Sequence, residues 1–391
     1  MRLLMLFGVM VHLVLSGVSY AERETVDVRK VGMTVSLTGP LAQSGREQLH
    51  GVQMWIQDLN ERGGLFSDRV ELVYYDDQSD RMQVAPLYEK LITEDQVEFL
   101  LGPVSTALTY PAAFVAEEHD MPMIAVLASA DKIWEVGFRN IFGIVTPAST
   151  EMELILGYAA GKELKTVAQI YANNDATRLA AKGVRNRAAK HGLELVFDQQ
   201  YNAEQVDFAE LVRQIAPKNP DIVFMAGYLG AADFVREAKR AGLQPKIMAI
   251  SGAAAQGFGD ELGADADGVM ATITWIHSAH IPGAYDFSFR YREQHGYYPD
   301  VYAATAYSAG QVIEAAVRLA GTTDRFRVRR QLEEMRFTSL IGHYRVNREG
   351  KQIGKPDYVL QWQDEQRRLV LPRDLARYEL LFPYSSPAAT R

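Results

Sequence analysis

Short apolar runs alternate with amphipathic helical stretches along most of the chain, and the runs end in loops of small polar residues. Val31, Met33 and Val35 alternate as a strand should, and Ser36-Leu37-Thr38-Gly39-Pro40-Leu41-Ala42-Gln43-Ser44-Gly45 follows as a polar loop. Leu49, Val52, Ile56 and Leu59 then mark one face of a helix, stopped by Gly63-Gly64. Residues 70–75, 97–101, 123–126 and 141–142 read as further strands with helical patterns between them. The order β-α-β-α-β-α-β predicts a parallel, doubly wound sheet. Near Thr146-Pro147 the pattern restarts, with strands at residues 167–171, 193–197, 222–225, 247–250 and 269–273. The fold class expected is α/β, with two doubly wound parallel-sheet lobes facing across a cleft that closes by hinge motion.

In such sheets ligands bind beyond the carboxyl ends of the strands. Gly102-Pro103 breaks the run at residues 97–101, and Val104, Ser105 and Thr106 follow just before a helical pattern. Free backbone N–H groups there, with the two hydroxyls, can hold an anionic or carbonyl oxygen, or the hydroxyls can simply cap the helix. Leu127-Ala128-Ser129-Ala130-Asp131, Asn173-Asn174-Asp175, Ala226-Gly227-Tyr228 and Ser251-Gly252 stand in equivalent places. Asp76-Asp77-Gln78-Ser79-Asp80 lacks the glycine and distal glutamate of a calcium loop, so turn and cap duty is expected of it.

A length of 391 residues suits two domains. A net charge of −8 argues against a nucleic-acid partner. The absence of cysteine removes disulfides, thiolate catalysis and cysteine zinc sites. Ser129-Ala130-Asp131-Lys132 matches a Ser-x-x-Lys pattern without its partner motifs, and His277 and His280 have no acid near in sequence. No catalysis, metal or cofactor is expected. At the amino end, Arg2 precedes an apolar run to Leu15, and Ser19-Tyr20-Ala21 offers small residues for cleavage after Ala21. The run is shorter than the roughly 20 residues a membrane span needs, so a cleavable signal peptide and an exported mature chain are expected.

Four stretches carry a resemblance: Ser36-Leu37-Thr38-Gly39-Pro40-Leu41-Ala42, Asn60-Glu61-Arg62-Gly63-Gly64, Leu101-Gly102-Pro103-Val104-Ser105, and Gly342-His343-Tyr344-Arg345-Val346-Asn347-Arg348-Glu349-Gly350. In this order the chain resembles the type I periplasmic solute-binding proteins, in particular their leucine/isoleucine/valine-binding group. The resemblance implies two lobes joined by three hinge crossings near Thr146, Trp275 and Val346. It divides the chain into a signal peptide (1–21), a first lobe (22–145 with 276–346), a second lobe (146–275 with 347–378) and a tail (379–391). It also implies a monomer, in the periplasm, that hands a small-molecule ligand to an inner-membrane ABC permease. A ligand-sensing receptor subunit of the same fold is the alternative.

Site residues carry over by position. Thr106, Leu127 and Ser129 fall where a ligand carboxylate is held, Tyr228 and Tyr302 where aromatic rings border the ligand, and Val104 on an apolar wall. Ser44 stands where the first loop often carries an aromatic residue, and Ser251 where amino-acid binders place the acidic partner of the ammonium. With a serine at 251, the expected ligand has a carboxylate or amide end and no obligatory ammonium, unless Asp175 supplies the missing charge.

Overall fold

The computed structural model describes residues 27–277 and 279–384. The export signal expected at 1–21, and residues 385–391 of the tail, lie outside the described residues.

The first part of the chain runs β1 (Val28–Val35), α1 (Ala42–Glu61), β2 (Arg69–Asp76), α2 (Arg81–Thr93), β3 (Phe99–Leu101), α3 (Thr106–Glu118), β4 (Met123–Ala125) and β5 (Ile141–Gly143). These strands form a parallel sheet in the order β2-β1-β3-β4-β5. Next come α4 (Glu153–Gly161), β6 (Thr166–Ala172), α5 (Asp175–Lys190), β7 (Glu194–Tyr201), α6 (Phe208–Ile215), β8 (Ile222–Ala226), α7 (Ala231–Arg240), β9 (Ile247–Ile250), α8 (Gln256–Leu262) and β10 (Met270–Ile273). The chain then adds α9 (Ala284–His295), α10 (Val301–Ala320), α11 (Arg325–Glu334), β11 (Phe337–Ser339) and β12 (Gly342–Tyr344), and ends with β13 (Tyr358–Gln363) and β14 (Gln366–Leu371). Residues of α9, α10, α11 and β12 share one core with β1 and α1, so this segment returns to the first lobe. Thr146, Trp275 and Val346 lie in the three passages between lobes, which run from β5 to α4, β10 to α9 and β12 to β13.

The second sheet has the order β14-β13-β10-β9-β8-β6-β7. It is mixed rather than purely parallel, because β13 runs antiparallel to β10 and β14 antiparallel to β13. A strand that arrives directly from the other lobe needs no helical crossover, so it can lie antiparallel along a free edge. The tail is also more ordered than its pattern suggests. The Leu381 N–H donates to Gln361 Oε1 at 2.8 Å, the Tyr384 N–H donates to the Lys246 carbonyl at 2.8 Å, and Leu380 and Tyr384 are buried.

Close helix contact fixes the first lobe. A Cβ on Gly51 would lie 2.1 Å from the Ala303 carbonyl, and one on Gly310 would lie 2.0 Å from the Trp55 ring, so α1 and α10 approach only through these glycines. Beneath them Asp58 takes both Arg290 guanidinium nitrogens, Nη1 at 2.6 Å and Nη2 at 2.7 Å, and the Tyr307 hydroxyl at 2.6 Å. The aspartates after β2 organise the neighbouring loop. Buried Asp77 accepts from Thr34 and Ser36, Asp76 accepts from the Leu37 N–H and the Thr38 hydroxyl, and Asp80 caps α2 through the Met82 N–H.

Candidate functional site

The carboxyl end of β3 leads through Gly102 and Pro103 into α3, as the break in the apolar run predicts. Ser105 is the N-cap, its Oγ accepting the Leu108 N–H at 3.3 Å. Thr106 has a different task. Its Oγ1 accepts the N–H groups of Ser129 at 3.1 Å and Ala130 at 3.2 Å, stitching the loop after β4 onto the start of α3. The Ser129 carbonyl in turn accepts the Ala148 N–H at 2.9 Å, which ties that loop to the first passage between lobes. Thr106→Ala would leave two N–H groups unpaired and is expected to cost about 1–3 kcal/mol. A thermal melt identical to the parent's would show the stitch to be unimportant.

A cavity of about 200 Å³ opens beside Ser129. Its other walls come from Thr146, Ala148 and Glu151 in the first passage, the start of α5, and the ends of β8, β9 and β10, with Asp357 just before β13. Of the residues expected to contact ligand, Ser129, Tyr228 and Ser251 line this cavity. Tyr228 is 71% exposed at its mouth. Tyr302, partly buried on the first lobe, is near enough to Tyr228 to act on its hydroxyl electrostatically. Thr106 is one hydrogen bond back from Ser129, and Leu127 packs between two cores of the first lobe. Val104 is 5% exposed inside a hydrophobic core, and Ser44 is half-buried in the first turn of α1; neither lines the cavity. Asp175 opens α5 next to lining residues Ala176 and Thr177, but its side chain lies outside the described residues.

The cavity also holds two acids, Glu151 and Asp357, that no sequence motif marks. Ser251 Oγ donates to Glu151 Oε1 at 2.7 Å, and Thr272 Oγ1 donates to the same oxygen at 3.0 Å. Burial pushes the Glu151 carboxyl up, with Asp357 adding to the shift and the two hydroxyls partly offsetting it. Burial also raises Asp357, against the pull of Lys355 and of the hydroxyls of Thr146 and Thr274. Lys355 itself is pushed down to about 8 by burial, and its Nζ donates to the Thr274 carbonyl at 3.2 Å. The Thr146 hydroxyl stands near Asp357 but makes no well-formed hydrogen bond. Glu151 left no readable signal, since an acid near a helix start is ordinary charge–dipole placement. Lys132 of the Ser-x-x-Lys match is exposed, and among the described residues no cluster of acids and histidines can hold a metal ion.

Comparison with known proteins fits this geometry. The family model described as "Periplasmic binding protein" matches residues 29–367. The leucine-, isoleucine-, valine-, threonine- and alanine-binding protein of Pseudomonas aeruginosa is 26% identical over 350 residues, 88% of this chain and 92% of that protein. The Leu/Ile/Val-binding protein of Citrobacter freundii is 26% identical over 62% of this chain, a match spanning just under two thirds of that protein at 66%. The crystal structure of a putative branched-chain amino acid ABC transporter from Silicibacter pomeroyi superposes with a TM-score of 0.82 at 19% identity, covering 91% of this chain and 99% of that one.

Proposed function

The chain belongs to the periplasmic binding protein family, and from that premise we propose that it is the substrate-binding component of an ABC-type importer of the branched-chain amino acid group. It captures a small amino acid-like, carboxylate or amide ligand between its two lobes and presents the closed form to an inner-membrane permease. It works as an exported monomer in the periplasm, and no bond is made or broken. The observation that carries this reading is the cavity itself. Its walls come from the loop after β4 of one sheet, from the carboxyl ends of β8, β9 and β10 of the other, and from the passage between them. About 200 Å³ suits a ligand smaller than a drug-sized molecule.

A ligand that touches Ser129 and Tyr228 together favours whichever arrangement brings those walls closest, so binding shifts the lobes toward closure. A thermal-shift screen of amino acids, amides, and branched and aromatic acids is expected to identify a binder. Small-angle scattering with that binder at saturation should then give a smaller radius of gyration. An unchanged radius under verified binding would sink capture between lobes.

A further inference from the structure

Building on the capture reading, we propose that Glu151 is the counter-ion for a ligand ammonium, so that the cleft takes a small α-amino acid rather than an acid or amide lacking an ammonium. Glu151 lines the cavity and makes no ion pair among the described residues. Both hydroxyls that reach it, from Ser251 and Thr272, donate to Oε1, which leaves Oε2 without a protein donor among the described residues. Two hydroxyls orient a carboxylate but cannot supply a positive charge, and a desolvated carboxylate without one is costly. Asp357, the other acid lining the cavity, already has Lys355 beside it. Glu151 is therefore the acid left for a cation to be brought in from outside.

Thr146 gives a second, independent sign of a ligand. It is 5% exposed, lines the same cavity, and its Oγ1 has no hydrogen-bond partner. Buried hydroxyls in folded proteins are almost always paired, and this one has only the Asp357 carboxylate near it, without a well-formed hydrogen bond, so it is open to a ligand group. On the first lobe's side of the cavity, Ser129 Oγ makes no hydrogen bond to a described residue and is free to meet an oxygen acceptor, as a ligand carboxylate offers. An acid and hydroxyls open to a ligand, lining one cavity, match a zwitterion held at both ends. Ala148, Ala176, Ala180 and Ala226 leave room for a modest side chain between them.

The test is calorimetry on the full mature chain with L-leucine, L-alanine, the keto acid made by deaminating leucine, and benzoate. The variants are Glu151→Gln, Glu151→Asp and the double variant Glu151→Gln/Ser251→Glu, each checked by thermal melting. An amino acid of the panel should bind the parent and lose about a hundredfold or more in Glu151→Gln, since one member of a desolvated charge pair is then missing. Glu151→Asp should bind better than Glu151→Gln. The double variant should regain at least part of the loss, because residue 251 already touches the Glu151 carboxylate. Amino-acid binding by Glu151→Gln equal to the parent's would overturn the assignment, as would a keto acid that binds the parent as tightly as its amino acid. Keto acid or benzoate binding alike to parent and Glu151→Gln, with the radius still shrinking, would leave the capture reading standing and remove this one. No binding by either amino acid, with a binder lacking an ammonium found in the wider screen, would likewise remove this assignment and keep the capture reading.

Discussion

Replacing Arg290 with leucine is expected to cost about 3 kcal/mol of folding stability at neutral pH. Asp58 lies on the buried face of α1, and its side chain is 7% exposed. Arg290 satisfies both its oxygens, at 2.6 and 2.7 Å, and Tyr307 adds a hydroxyl at 2.6 Å. Removing the guanidinium leaves an ionised carboxylate in the core with one neutral donor. Breaking a buried pair from one side costs roughly 3–5 kcal/mol, and the low end applies because Arg290 keeps 34% of its side chain in water. Although burial opposes it, Asp58 is held below the ordinary carboxylate range by Arg290, Tyr307 and Arg62. Its stabilising effect is therefore present above the unfolded-state value and is lost as pH falls through the lower folded-state value. The difference between parent and Arg290→Leu should shrink in acid for the same reason, because a protonated Asp58 no longer needs the charge. Urea unfolding at neutral and acidic pH measures both effects. Equal midpoints at neutral pH would mean that Asp58 is already satisfied without Arg290.

Amino-acid affinity is expected to fall by up to about tenfold per pH unit once the pH drops below the raised value of Glu151. Burial comes first among the causes of that rise and Asp357 adds to it, while Tyr228 also faces the carboxylate and Lys355 stands behind Asp357. A ligand ammonium pairs with the ionised form, so below that value binding must first expel a proton. The free protein responds in the opposite sense. A carboxyl raised on folding binds its proton more tightly in the native state than in the unfolded chain. Glu151 therefore weakens the ligand-free fold above its folded-state value, and this cost vanishes as pH falls below the unfolded-state value. Ligand-free Glu151→Gln should then melt no lower than the parent, and higher at neutral pH, while binding amino acids far more weakly. Calorimetry and thermal melts from about pH 7.5 to about pH 5 test both halves. A flat affinity profile, or a ligand-free variant that melts well below the parent at neutral pH, would show that Glu151 is a structural acid.

Ser105 and Thr106 show how far local reading goes. Both hydroxyls were expected at a strand end, either as caps or as an oxygen cradle, and nothing in their spacing separates the two roles. Ser105 caps α3, whereas Thr106 holds the N–H groups of Ser129 and Ala130. Which hydroxyl does which depends on where the loop after β4 lies, and that loop is more than twenty residues away. The β13–β14 hairpin illustrates a different limit. Its turn is Asp364-Glu365, both at positive φ (51° and 59°), without the Asn-Gly or Asp-Gly pair that marks such turns in a sequence. β14 therefore carried no turn signal to announce it, and the tail that packs beside it is held by Gln361 and Gln363 rather than by a hydrophobic period.

What the sequence determined by itself is what has a short period. Apolar alternation, helical faces and glycine stops placed β1 through β10 in order, made both lobes α/β, and put small polar loops at the strand ends where a ligand can reach them. Tertiary structure alone decided which distant groups meet in those loops. Ser251 reads as the loss of a charge, yet its hydroxyl lies 2.7 Å from Glu151, a hundred residues earlier in the chain. Arg290 and Asp58, 232 residues apart, meet through the packing of α9 and α10 on α1. Strand and helix periods are set by neighbours a few residues away, whereas pairing across such separations follows from sheet order and lobe packing, which no local pattern encodes.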